Sequence, residues 1–309
     1  MMKPIKNVAI VGAGAMGAAY AAMFTDAVGF NVCFVARGKR YERLKEKTFT
    51  VNEGLYRIPA VHADKVAAPA DLVIVALKHH HLAGAVDDIA ALVGPDTAVL
   101  SVMNGLESEE TIGAVCGMDK LVYAIAVAID AVHENDRFTY ANPGKIVFGP
   151  TADDGSGPDL ERIAEALTRA GIHNERPADI MRAMWWKFMV NVGINQASAV
   201  LRVPYGIFQS NPDARDLMRS LMEEVVVLAP KAGIDLRPGD IEEWERVMMT
   251  LSPKGKTSML QDVDAGRKTE VEIFAGRVVA LGKQYAVPTP VNATVQRIIK
   301  VIEGGFGKF

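Results

Sequence analysis

The spacing of apolar residues changes character part-way along the chain. In the first part, short runs rich in Val, Ile and Ala at 8–11, 32–35, 72–77, 98–102, 122–128 and 145–148 alternate with stretches of helical spacing. Runs this short read as strands, and their alternation with helices predicts a parallel, doubly wound sheet. Residues 151–158 are rich in Asp, Gly, Ser and Pro and read as a loop, followed by a helix over 159–170 and a last extended piece over 172–176 that ends at Pro177. Beyond it, amphipathic stretches near 178–202, 212–232, 239–250 and 268–285 have helical spacing and no strand-like run. The expected fold is α/β, with an N-terminal doubly wound domain over 1–177 and a C-terminal all-helical domain over 178–309.

Composition narrows the classes of partner. At 309 residues the chain is about twice the length of an average domain. Half of its residues are hydrophobic and 23% are charged, a globular balance and not that of a disordered chain. A formal net charge of −3 supplies no basic field for nucleic acid or an acidic membrane surface, so the expected partner is a small molecule. Cys33 and Cys116 have no metal-binding spacing and read as reduced and structural. The apolar start of the chain is broken by a glycine-rich turn before it reaches the length of a signal-peptide core, and no run reaches the ~18 apolar residues of a membrane span. A cytoplasmic protein, monomeric or homodimeric, with neither membrane nor nucleic acid as a partner, is expected.

Candidate chemistry starts at Gly12-Ala13-Gly14-Ala15-Met16-Gly17, which follows the first strand and opens a helix. That is the context of the Rossmann dinucleotide fingerprint: Gly12, Gly14 and Gly17 let the backbone turn tightly and approach a pyrophosphate, while Ala15 and Met16 begin the helix that faces it. An NAD-reading strand would end about 20 residues later in an Asp or Glu for the ribose 2′-hydroxyl. Here the strand ends Val35-Ala36-Arg37-Gly38-Lys39-Arg40, and Arg37 suits a 2′-phosphate, the alternative being a solvated basic turn. Lys78 follows the strand at 72–77, on the edge of a doubly wound sheet where ligands bind. His79, His80 and His81 are consecutive and point in different directions, so they lack the spacing of a shared metal site, and no metal is expected.

In the second half, Lys187, Asn191 and Asn195 recur every four residues within an otherwise apolar helix. On an α-helix they line one face, and polar groups buried among Trp, Phe, Met and Val need partners or a ligand. The alternative is a lysine reaching to water beside two structural amides. Ser258-Met259-Leu260-Gln261-Asp262 and Thr269-Glu270 add a hydroxyl and carboxylates, and Asn104 follows the strand at 98–102. Hydride addition to a keto carbon needs a proton for its oxygen, donors for its carboxylate and a group to orient the acid, and these residues can supply all three.

Taken together, these pieces resemble ketopantoate reductases over nearly the whole chain; Ala141-Asn142-Pro143-Gly144 also matches. The resemblance implies NADPH-dependent reduction of 2-dehydropantoate (ketopantoate), or of a closely related 2-oxo acid, as in pantothenate biosynthesis. It implies Lys187 as general acid and Glu270 on the reacting hydroxyl, with Asn104, Asn191, Asn195 and Ser258 on substrate and nicotinamide, and Arg37 and Lys78 on the cofactor. The His79–His81 tract and the apolar run at 124–129 depart from the family pattern. Two other readings stand beside this one. A β-hydroxyacid dehydrogenase shares the glycine fingerprint and a Lys-x3-Asn helix but does not account for the 258–262 and 269–270 segments. A non-catalytic NADPH sensor has no need to keep Lys187 with Glu270. If Ser258 and Glu270 serve one small substrate, the helix over 258–285 must break near 265–268, because a straight helix would separate them by ~18 Å. Thr269 would then cap the second helix, with Glu270 in its first turn.

Overall fold

Alternate residues of the central strands are buried on opposite faces, so both sides of the sheet must be covered. A computed structural model describes residues 3–134, 137–152 and 155–307. Eight strands, β1 (Asn7–Val11), β2 (Asn31–Ala36), β3 (Ala60–His62), β4 (Leu72–Val75), β5 (Ala98–Ser101), β6 (Leu121–Val127), β7 (Lys145–Pro150) and β8 (His173–Glu175), form one sheet in the order β8-β7-β6-β5-β4-β1-β2-β3. Val8 and Ile10 of β1 join the core on one face, with Phe24, Phe34 and Leu72. Ala9 and Val11 join the core on the other, with Ile89 and Leu92. Burial on both faces is why these strands read as nearly unbroken apolar runs.

All neighbouring strands are parallel except β6 and β7, which pair antiparallel from Val127 opposite Lys145 to Val122 opposite Pro150. The parallel, doubly wound sheet that the sequence pattern predicts is present, with this one antiparallel pair inside it. A parallel return needs a crossover, usually helical. The described residues between β6 and β7 contain no helix; they contain Val132–Glu134 and Arg137–Thr139, which pair with each other and, through Arg137–Thr139, with Phe49–Val51, which Gly54–Tyr56 flanks in a separate four-stranded sheet. Strands of three residues are too short to show a period, so the sequence pattern missed this sheet and β3.

Helix α1 (Ala15–Asp26) packs on the sheet through Ala18, Ala19, Ala21 and Ala22, whose small side chains allow close approach. Tyr20 is fully buried there, and its hydroxyl has no hydrogen-bond partner among the described residues. Burial pushes its phenol well above the usual tyrosine range. The free Cys33 and Cys116 thiols are likewise pushed up by burial, which disfavours the reactive thiolate.

The chain divides into two compact units, one ending at Ile180 and the other beginning at Met181. The second has helices Gln196–Leu201, Tyr205–Ser210, Pro212–Leu228, Pro238–Met248, Ser258–Asp264, Arg277–Tyr285 and Pro290–Gly304, and no strand among its described residues. Tyr205–Ser210 and Pro290–Gly304 were not foreseen, although Pro290 in the first turn of the latter is a helix-start signal. The expected break after Ser258 is present: helix Ser258–Asp264 stops, Gly266 takes a left-handed φ of +61°, and Arg267 N–H bonds back to the Asp262 carbonyl at 2.8 Å. Glycine adopts that conformation without the Cβ penalty, which ends the helix there.

Removing the unpartnered hydroxyl by Tyr20→Phe is expected to raise the unfolding free energy by about 1 kcal/mol, because a buried polar atom without a partner costs more than its absence. Urea unfolding of both proteins measures it; a loss of stability would show that the hydroxyl is satisfied.

Candidate active site

The α/β unit presents its first set of groups where the strand order reverses. The chain leaves β1 for β2 on one side and returns to β4 on the other, so the carboxyl ends of β1 and β4 flank the switch point at which doubly wound sheets bind ligands. Gly12 has φ +112°, and a Cβ there would lie 2.4 Å from the Ala76 carbonyl oxygen. A Cβ on Gly17 would meet the Gly12 carbonyl oxygen at 1.8 Å. Only glycine fits either place. Gly14 is the N-cap of α1, nothing lies within 4 Å of where its Cβ would be, and Ala15 and Met16 form the first turn beyond it. The result is an open backbone cradle at a helix N-terminus, which fits a pyrophosphate.

Lys78 caps the short helix His79–Leu82 that follows β4, which places the three histidines on that helix. Asn104 lies half-buried in the loop after β5. That loop is anchored by the buried Ser101 and Ser108 hydroxyls, 2.8 Å apart, and by Glu109, which accepts from Ser108 at 2.8 Å. Arg37 is the residue before helix Gly38–Leu44 and pairs with Asp88 and Asp64. The strand end carries no acid, as the sequence indicated, but two carboxylates from distant positions reach this arginine. Asp88 is buried and Asp64 exposed.

The helical unit carries a second set. Lys187 is half-buried in helix Ile180–Val190, which runs directly into a π-helical turn, Asn191–Asn195, before helix Gln196–Leu201. The even four-residue drift expected of an α-helix therefore does not continue past Asn191, a correction to the predicted stripe. The extra residue of a π turn swells the helix locally, and such turns recur at functional sites. Inside it, Asn195 Nδ2 donates to Asn191 Oδ1 at 2.9 Å. Asn195 Oδ1 accepts from Ser258 Oγ at 3.1 Å and from the Met259 N–H at 3.3 Å. Ser258, Asn195 and Asn191 are thus one hydrogen-bonded chain, and it ends in a buried Asn191 Nδ2 with no partner among the described residues.

Glu270 is buried beside a second π-helical turn, Glu272–Gly276. The residue capping this helix is Val271, so Glu270 lies just ahead of it and not in its first turn, as the sequence suggested. Thr269 Oγ1 still accepts from the Val271 N–H at 3.2 Å. One face of helix Pro290–Gly304 holds this segment: Gln296 donates to Glu272 at 3.0 Å, Lys300 pairs with Glu272 at 2.9 Å, and Glu303 accepts from the Thr269 N–H at 2.8 Å. Gln196, fully buried, joins the two π turns. Its Nε2 donates to the Val192 carbonyl at 2.8 Å and to Asn292 Oδ1 at 3.0 Å, while its Oε1 accepts from the Ala275 N–H at 3.0 Å. Sequence reasoning missed Asp64, Asp88, Gln196, Asn292 and Glu303. Gln196 had a signal, a polar residue inside an apolar helix; the others act through tertiary contacts that spacing does not show.

An α/β unit with a glycine cradle at its switch point, followed by a helical unit with a lysine, a chain of amides and a buried carboxylate, defines a two-part oxidoreductase of Rossmann type. The chain belongs to the ketopantoate reductase family: the family model described as "Ketopantoate reductase PanE/ApbA" matches residues 8–153 and the one described as "Ketopantoate reductase PanE/ApbA C terminal" matches 179–303. It is 29% identical to a 2-dehydropantoate 2-reductase of Archaeoglobus fulgidus, over 97% of this chain and 99% of that protein. The solved structure of 2-dehydropantoate 2-reductase from Geobacter metallireducens superposes with a TM-score of 0.83 at 25% identity, covering 96% of this chain and 99% of the other. The fold is also that of a D-mandelate dehydrogenase solved with NADH and anilino(oxo)acetate, with a TM-score of 0.87 at 22% identity over 97% and 99% of the two chains.

Gln196→Leu keeps the volume but leaves the Val192 carbonyl, the Ala275 N–H and Asn292 Oδ1 without the bond that Gln196 makes to each. At ~1–3 kcal/mol for each buried group left unpaired, the variant is expected to lose at least ~2 kcal/mol of stability. Chemical denaturation checks it, and a loss below ~0.5 kcal/mol would show that the bridge is dispensable.

Proposed function

We propose that this chain catalyses the NADPH-dependent reduction of 2-dehydropantoate, or of a closely related 2-oxo acid, to the 2-hydroxy acid. The observation that carries the reading is the hydrogen-bonded chain Ser258–Asn195–Asn191 ending in a buried amide donor without a partner. Such a donor costs free energy in the unliganded protein, and a polar substrate group would recover it. The relatives named 2-dehydropantoate 2-reductase and the family match support the same reaction.

In this reading Gly12, Gly14, Ala15, Met16 and Gly17 hold the pyrophosphate, Lys78 and Arg37 meet the dinucleotide's other polar groups, and Asn104 serves nicotinamide and substrate. The bound nicotinamide supplies a hydride to the keto carbon. Lys187, flanked by Trp186 and Phe188, donates the proton that the developing alkoxide requires, and Glu270 accepts a hydrogen bond from the hydroxyl as it forms. Asn191, Asn195 and Ser258 orient the acid. Arg37 selects the phosphorylated dinucleotide, because a guanidinium forms charge-assisted bonds to a 2′-phosphate that a ribose hydroxyl cannot match.

Two variants test these roles separately. Lys187→Ala is expected to lower kcat by ~10²–10⁴ with the NADPH KM nearly unchanged. A variant within about threefold of normal turnover would remove the lysine from the chemistry. Arg37→Ala is expected to raise the NADPH KM by about ten- to a hundredfold while barely moving that for NADH. Equal use of both cofactors by the unmodified protein would contradict the selection.

A further inference from the structure

The histidine tract has no part in the reaction just described, yet two of its members line the same pocket as Arg37. This pocket, about 290 Å³ in volume, is formed by Arg37, Arg40, His80, His81, Gly84 and Asp88. The His80 and His81 rings lie 4.2 Å apart, and both residues are exposed on the short helix His79–Leu82. Arg37 pairs with Asp88 and Asp64 and also feels the charge of Asp87. Arg40, half-buried, comes from helix Gly38–Leu44.

The charges decide what this pocket can hold. Two arginines face two paired aspartates, Asp64 and Asp88, so with neutral histidines the fixed charges cancel and a phosphate dianion meets little net attraction. Asp87 tips the balance further toward negative. The groups at the pocket that can add positive charge near neutral pH are the imidazoles. Resting on the assignment of Arg37 to a 2′-phosphate, we propose that His80 and His81 are the second, titratable arm of that phosphate site: binding of the 2′-phosphate draws a proton onto this histidine pair, and preference for the phosphorylated dinucleotide strengthens as pH falls. The free state is prepared for such a change. Partial burial, then the neighbouring His80 and Arg40 charges, shift His81 below the ordinary histidine value, which favours its neutral form. A dianion beside it opposes the two charge causes and raises its affinity for a proton.

The linkage sign follows from these two states. A group whose pKa rises on binding takes up a proton, and the ligand binds more tightly as pH falls through the bound-state pKa, levelling off below the free-state one. The test uses the whole protein and adenosine 2′,5′-bisphosphate, with 5′-AMP as the ligand lacking the phosphate in question. Titration calorimetry between pH 8 and 6.5 keeps the 2′-phosphate largely dianionic, since its second pKa is about 6. Over that range the bisphosphate is expected to gain at least ~threefold in affinity over AMP, with a net proton uptake detected by repeating the titration in buffers of different ionisation enthalpy. In His80→Asn/His81→Gln, changed at exposed positions and so expected to fold, both the gain and the extra uptake should vanish, while affinity at pH 8 is nearly kept. Bisphosphate binding that is tighter than AMP but has no pH slope, or a slope that persists in the double variant, overturns the histidine proposal alone. Equal binding of bisphosphate and AMP at every pH overturns the Arg37 assignment beneath it as well.

Discussion

The amide of Gln196 is the interaction on which the helical unit's candidate site depends. A π turn leaves backbone groups out of register with their α-helical partners, and buried groups of that kind must be satisfied. Gln196 satisfies one in each turn, the Val192 carbonyl and the Ala275 N–H, with a single planar side chain. It is held in place by Asn292, whose own amide is fixed by the Leu221 carbonyl at 3.2 Å and by Glu224 at 2.7 Å. Through this bridge the turn that carries Asn191 and Asn195 is tied to the one that follows Glu270. The catalytic assignments inherit their geometry from groups that touch no substrate.

Much of this was legible in the sequence, for identifiable reasons. Strands buried on both faces leave apolar runs, so the six runs read from the pattern coincide with strands of the main sheet, and Gly12 and Gly17 occupy positions where any Cβ would collide with a carbonyl. The break after helix Ser258–Asp264 was foreseen from a distance argument, and Gly266 supplies it. What the pattern concealed is what depends on contacts remote in sequence. Asp64 and Asp88 pair with Arg37 from 27 and 51 residues away, Glu303 reaches Thr269 across 34, and no local period marks any of them. The π turns were hidden because a one-residue swelling hardly disturbs an apolar pattern.

The α/β unit shows the same division between a fixed scaffold and an adjustable periphery. Its glycine cradle admits no side chain at Gly12 or Gly17. Around Arg37 the pocket's paired charges of opposite sign nearly balance. Of the histidine tract, His80 and His81 line this pocket.

In the proposed reaction the Asn191–Asn195–Ser258 chain reads a polar group on the substrate. Ketopantoate and 3,3-dimethyl-2-oxobutanoate differ only in the distal hydroxyl, so the ratio of their kcat/KM values with NADPH isolates that reading. A site whose buried donor is left unpaired by the analogue should favour ketopantoate by ~10²-fold or more. Values for the two acids within about threefold of each other would contradict that role, because the buried amide would then be serving no group that the smaller acid lacks.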